Sequence, residues 1–347
     1  MIAFVKRSYS YLTRTTLVRL ILQSAVSIVL LALLVSMARQ ADLIASFRAL
    51  QPSAILIAAG LQGAAFVLNS RRWQILLANV GIAERLSSLT SLYFIGQFFS
   101  LFLPTGTGGD VVRAYDVARR SGRPSEAVLA TLQERLLGLG ASLLIGLVAA
   151  LYYLPIVPPQ LAIWMVVVQI VGATGIALLL YPSLLFTIAG WCWRTLGHRP
   201  VLRSIAGHPL TVRVVHALDP IRRQPPLRPL RLALLLGMAA TAVLMGIGMY
   251  YVLGQSLNIH ASFVTLCLVV PLVWIVRMAP VSLNGIGLSE GAFVFLSGLF
   301  AVPADKALAL ALAFFGIQTA WALFGGLLLA LRMMRGSWVG RRQPAVE

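Results

Sequence analysis

Leu103-Pro104-Thr105-Gly106-Thr107-Gly108-Gly109-Asp110-Val111-Val112-Arg113-Ala114-Tyr115 breaks an apolar region with a proline, three glycines, an acid and a base. In a water-soluble protein this would be an ordinary loop. Between segments long enough to cross a membrane it means more. Backbone without helical hydrogen bonds persists at membrane depth only where protein or a wet cavity satisfies it. A second break of the same kind follows about half a chain later, at Pro280-Val281-Ser282-Leu283-Asn284-Gly285-Ile286-Gly287-Leu288-Ser289-Glu290-Gly291. Paired interruptions in the two halves of a chain point to the binding site of a transporter.

The composition agrees with a membrane setting. Of 347 residues, 59% are apolar and 11% charged, with a mean hydropathy of +0.88. A soluble domain carries roughly twice that share of charge. The net charge of +18 is nearly all arginine, the lysines being Lys6 and Lys306. Such a charge can mark a nucleic-acid binder. Here the arginines stand in short segments between apolar runs, with no long aromatic and basic stretch to follow a nucleic-acid backbone. They read instead as positive-inside topology and contact with anionic lipid headgroups. Cys192, Cys267 and four scattered histidines show no metal-ligand, redox or disulfide spacing, so neither metal nor cofactor is expected. Gly106-Thr107-Gly108-Gly109 lacks the Gly-Lys-Ser/Thr that completes a nucleotide-binding loop.

Read in order, the chain predicts an all-α helix bundle in a single membrane domain, 1–347. The basic segment 1–19 precedes an apolar run, Leu20 to Ala38, which reads as an uncleaved first span with a cytoplasmic N-terminus. Residues 39–52 form a short external loop. Ser53 to Ser70 forms the second span, ending at Arg71-Arg72-Trp73 as a basic and aromatic interfacial anchor, and 74–86 reads as a surface helix. Ser87 to Leu103, 17 residues, lies near the lower limit for crossing. A full crossing would put Arg113, Arg119, Arg120 and Arg123 outside. A re-entrant hairpin is therefore expected, with 110–123 returning to the cytoplasm. A long helix then runs from Pro124 to about Leu154, and Leu161 to Tyr181 returns after a neutral external turn. Residues 182–231, with eight arginines and Asp219 as the one acid, form a cytoplasmic loop with an interfacial helix at Leu184 to Leu196. The second half runs through Leu232 to Leu253, Ala261 to Ala279, the second break, a short helix at 290–300, and Ala307 to Leu331. The expectation is about eight transmembrane helices plus re-entrant or broken segments. They fall in two diverged halves, 20–181 and 232–335, with both termini cytoplasmic.

Six charges fall in or near the apolar zone: Asp110, Glu134 and Glu290, against Arg113, Arg135 and Arg277. Ionisable groups at membrane depth cost several kcal/mol and mark functional sites. They form either internal ion pairs that lock the fold or the lining of a cavity. Arg277 also has the reach to snorkel to the cytoplasmic surface. Asp110 and Glu290 each follow a glycine-rich turn, where a carboxylate caps a helix N-terminus. Such N-termini attract anions such as lipid phosphate, and Arg113 adds a cation; the acids would neutralise it, bind a proton or hold a cationic headgroup. Gly138, Ala141 and Ser142 share the Glu134 face, which is small and polar and suits the interior of a bundle.

Leu103-Pro104, Gly108-Gly109-Asp110, Arg113, Glu134-Arg135 and the run from Pro280 through Asn284-Gly285-Ile286-Gly287 to Glu290 together resemble the transmembrane region of lysylphosphatidylglycerol synthases. The match spans most of the chain, residues 20–335. The same region occurs in stand-alone flippase-like membrane proteins. The resemblance implies a bacterial inner-membrane protein that moves lipids between leaflets. The synthases add a soluble aminoacyl-transfer domain, and with the sequence ending at Glu347 that activity is expected to be absent. The expectation is thus a lipid flippase rather than an enzyme. Its substrate-binding residues would be Asp110, Arg113, Glu134, Arg135, Asn284 and Glu290. Pro104, Gly106, Gly108, Gly109, Pro280, Gly285 and Gly287 would make the backbone breaks. Membrane lipids are the expected partners, with anionic headgroups at the 182–231 loop and no nucleic acid. Two other classes stand beside this one. A non-transporting scaffold for lipid-synthesis enzymes would use the basic loop. A membrane-embedded lipid-phosphate transferase would need a metal-binding acid cluster, and Asp110 and Asp116 face different ways on a helix.

Overall fold

A helix that is apolar on every face needs either protein or lipid all round it. The computed structural model describes residues 14–37, 40–102, 108–153, 159–180, 229–279 and 281–334, and among these it contains helices and no strand. In chain order they are α1 (Arg14–Met37), α2 (Gln40–Ala49), α3 (Pro52–Asn79), α4 (Leu86–Phe102), α5 (Gly108–Ser121) and α6 (Pro124–Tyr153). Then follow α7 (Pro159–Leu180), α8 (Pro229–Ser256), α9 (Phe263–Arg277), a 3-10 turn (Leu283–Gly285), α10 (Leu288–Gly298) and α11 (Ala304–Met334). Helices α3, α6, α8 and α11 have 28, 30, 28 and 31 residues and are apolar enough to cross a membrane. At about 1.5 Å per residue they reach roughly 42–46 Å, more than the ~30 Å of a hydrocarbon core. Their outer faces carry Leu56, Val148, Leu244 and Leu323, exposed side chains that only lipid would cover. Their inner faces meet around a core built from Ala239, Ile247, Val270, Phe293 and Leu310.

The two ends of the bundle differ in chemistry. At one end Arg231 donates to the Asn79 side chain (2.8 Å), Arg120 pairs with Glu84 (3.4 Å), Arg123 reaches the Gly81 carbonyl (3.3 Å) and Arg332 pairs with Asp116 (3.2 Å). At the other end the Gln51 N–H donates to Ser256 (2.8 Å), Tyr153 meets Thr265 (2.7 Å) and Lys306 reaches the Asn258 carbonyl (3.3 Å). Helix α4 starts and α5 finishes at the arginine-rich end, and the two pack against each other. The pair therefore runs antiparallel, with both outer ends at the arginine-rich end of the bundle. Its turn, with Pro104 and Gly106, lies outside the described residues.

Several expectations need correction. Helix α3 does not end at Ser70 but continues to Asn79, and Gly81 stops the chain with φ +80°. Arg72 and Trp73 are not interfacial anchors. Both are buried against α6, where Trp73 Nε1 donates to Thr131 (3.1 Å). With Arg72 paired to Glu134 and Trp73 to Thr131 inside the bundle, the helix has no reason to stop there. Residues 80–85 form a turn, so no surface helix spans 74–86. The loop expected at 39–52 contains α2, which lays Leu43 inward and packs along α11. Helix α9 carries Pro271 in its interior, tolerated where neighbouring helices surround it. The interfacial helix expected at Leu184 to Leu196, and nearly all of the 182–231 loop, lie outside the described residues.

Candidate functional site

Helix α5 can approach α4 only because Gly109 faces Gly96. A Cβ at Gly109 would fall on the Gly96 carbonyl, and the Gly109 N–H donates to Ser100 Oγ (3.1 Å). This contact sets the start of α5 deep in the bundle. Asp110, expected to cap that helix, is its third residue and turns its carboxylate to arginines instead. One oxygen takes Arg113, one turn along, and the other takes Arg135 of α6 at 2.5 Å. Arg113 then bridges onward to Glu134 of α6 (3.3 Å). Glu134 also holds Arg72 of α3, which donates to both its carboxylate and its backbone carbonyl (3.1 Å). The guanidinium of Arg113 lies 4.0 Å from the ring centre of Tyr93 and 4.9 Å from that of Trp73, within cation–π range of both. Three helices thus contribute to one network of three arginines and two carboxylates, each carboxylate serving two guanidiniums.

The network forms one wall of a cavity of about 320 Å³. Gln62 and Asn69 of α3, Gln97 of α4, Ser142 of α6 and Gln318 of α11 add neutral polar groups to its lining. Trp274, Arg277, Met278 and Asn284 complete the lining from the second half of the chain. Along α3 the lining runs from Gln62 to Arg72, and along α11 from Phe314 to Ala322, so the space lies midway along the long helices. Arg113 Nη1 and Arg72 Nε have no hydrogen-bond partner in the protein.

The second break reaches the same cavity through Asn284 and is built by a different device. Asn284, Gly285 and Gly287 adopt φ of 52°, 76° and 81°, a left-handed path that turns the chain between α9 and α10. Glu290 closes this turn on itself, accepting the Gly287 N–H at 2.6 Å and lying 3.2 Å from the Ser289 hydroxyl. It does not line the central cavity. It faces an adjoining void of about 10 Å³ that it shares with Arg277 and Tyr250. Arg277 does not reach out to a membrane surface either. Its Nε donates to the Asn284 carbonyl (3.2 Å), folding the side chain back over the break.

Of the residues singled out in the sequence, Asp110, Arg113, Glu134 and Arg135 come together, Asn284 lines the same cavity and Glu290 stands apart. Gly108 and Gly109 open α5, Gly285 and Gly287 shape the second break, and Pro280 lies outside the described residues. Asp110 and Asp116 are taken up by different arginines, Asp116 by Arg120 (2.8 Å) and Arg332. Sequence reasoning missed Arg72, Tyr93 and Trp73. A signal was present, because Ala65, Asn69, Arg72 and Leu76 follow one another at helical spacing on a single face of α3. No curated protein matches the chain. The family model for the lysylphosphatidylglycerol synthase TM region matches residues 20–326, most of the chain, and the protein belongs to that family of multi-pass, lipid-related membrane proteins.

Proposed function

We propose that the protein moves a lipid between the leaflets of the bacterial cytoplasmic membrane, with the headgroup passing through the central cavity while the acyl chains stay in the bilayer. The observation that carries this reading is the placement of a charged, partly unsatisfied network halfway along apolar helices. Charges at that depth are costly, and a wet path for a polar cargo is what they ordinarily line. Two breaks of the same kind in the sequence, one in each half of the chain, support it further. In this reading the arginine-rich end of the bundle, with the 182–231 loop, faces the cytoplasm, since basic residues are retained there. Anionic headgroups would gather at that loop, and lipid-synthesis enzymes would be partners at the same face. No bond-making group is needed for such a task, so the protein would act without being an enzyme.

The test is reconstitution of the full chain into liposomes containing a fluorescent phospholipid, bleached from outside by a membrane-impermeant reductant. Wild-type protein should expose inner-leaflet lipid to the reductant. Asp110→Asn removes the charge that holds Arg113 and Arg135 together, and should slow this by about tenfold or more, the worth of one lost charge-assisted hydrogen bond. Arg71→Gln, at an exposed site beside the network, should leave the rate unchanged. No movement of any lipid by wild-type protein, with a proton gradient and a potential applied, would favour a scaffold. Loss of a lipid product in cells carrying Asp110→Asn would favour a transferase.

A further inference from the structure

We infer that the cavity selects a headgroup of net negative charge, one phosphodiester with no amine to balance it, over a headgroup of net positive charge. That the ligand is a lipid rests on the translocation reading; the charge selection rests on the cavity itself. Four guanidiniums line the space, those of Arg72, Arg113, Arg135 and Arg277, against the carboxylates of Asp110 and Glu134. The excess is two positive charges. Glu290, in the adjoining void with Arg277, lowers it to one. Neither cavity carboxylate is open to a cationic ligand, because each is already shared between two arginines. An ammonium group entering here would have to displace a guanidinium. A single phosphodiester brings the site towards neutrality, and at low dielectric that difference governs what enters.

The donors such an anion needs are in place. The Arg113 side chain is 3% exposed and that of Arg72 4%, and each keeps an N–H without a partner, Nη1 in the first and Nε in the second. Buried donors left unmade are costly, and charge-assisted bonds to an anion would relieve that cost. Arg113 is not free to swing away, being held by two carboxylates and by the Tyr93 and Trp73 rings. The volume of about 320 Å³ holds a headgroup and leaves no room for two acyl chains.

The measurement is retention of lipid by the purified full chain in native mass spectrometry. Phosphatidylglycerol, phosphatidylcholine and lysylphosphatidylglycerol are offered together at equal concentration. Wild-type protein should keep phosphatidylglycerol about tenfold over the other two, the equivalent of one charge-assisted hydrogen bond. Arg113→Gln and Arg135→Gln should each erase that preference, and Arg113→Lys should keep its sign while weakening it. Excess inorganic phosphate should fail to displace the lipid. Displacement by phosphate alone would assign the site to a soluble phosphate compound and overturn the lipid ligand. Equal retention of the three lipids, preference for the lysyl lipid, or a preference that persists in both glutamine variants would overturn the charge selection. The comparison of lipids on wild-type protein needs no variant to fold. Because it reads binding, it stands if no lipid is translocated, and it fails by itself if all lipids are translocated without preference in retention.

Discussion

Glu134 accepts from two guanidiniums at once, so losing it and losing one of them have unequal costs. Arg72→Met leaves the Glu134 carboxylate buried with Arg113 as its remaining partner at 3.3 Å. Breaking one side of a buried pair is strongly destabilising, by about 3 kcal/mol or more. Arg72→Met with Glu134→Leu removes both charges and leaves Arg113 on Asp110. The double variant should therefore recover most of the loss, since an apolar pair of similar volume is often as stable as the ion pair it replaces. Thermal unfolding in detergent measures both, and a double variant no better than Arg72→Met alone would show that the two charges are not coupled. Why Arg72 was illegible follows from the same contact. An arginine flanked by another arginine and a tryptophan at the end of an apolar run looks like a surface anchor. Only the acid sixty-two positions away, across the bundle, makes it an interior residue.

At the scale of elements, α4 is confined by close backbone approaches on two sides. On one side Gly109 of α5 meets the Gly96 carbonyl, and on the other a Cβ at Gly325 of α11 would fall on the Phe94 carbonyl. Gly109→Ala and Gly325→Ala must push these backbones apart and should each destabilise by about 1–3 kcal/mol, the usual cost of overpacking. Gly316→Ala, midway along α11 with nothing within 4 Å, should be neutral or stabilising. Unfolding midpoints of the three variants decide the matter, and equal effects would deny the close approach. Gly122 ends α5 at φ +69°, so Gly122→Leu should cost about 1 kcal/mol despite open space around it. The α4–α5 hairpin was legible because four arginines after a 17-residue apolar run left no other way to keep them on one side. The end of α3 was not, because a helix that stays inside protein obeys its contacts rather than its hydropathy.

For the whole molecule, the charge at the two ends sets the orientation. Arg119→Cys, exposed near the close of α5, should react with a membrane-impermeant maleimide only after cells are opened. Asn258→Cys, at the opposite end, should react on intact cells, both in a background with Cys192 and Cys267 replaced by serine. The reverse pattern would invert the bundle. The shared site was legible in the paired breaks: Gly109 and Asn284 line the same cavity, and at the second break Gly285 and Gly287 turn the backbone. Their chemistry was only half legible. The first break shares its acid with one other helix, whereas Glu290 spends both its bonds on its own turn, and no pattern of residue types distinguishes the two. The second break also has a distant anchor. The Leu283 N–H donates to Ser27 of α1 at 2.8 Å, across 256 residues of chain, and a Cβ at Gly287 would press on Leu30 of the same helix. The packing of α1 is against this turn and α10, while its Leu22, Ile28 and Leu33 remain exposed. Helix α1 is therefore made long before the turn that seats it. At about 5–20 residues per second of synthesis it waits in lipid for roughly ten to fifty seconds, held by hydrophobicity alone, until the turn that fastens it has emerged.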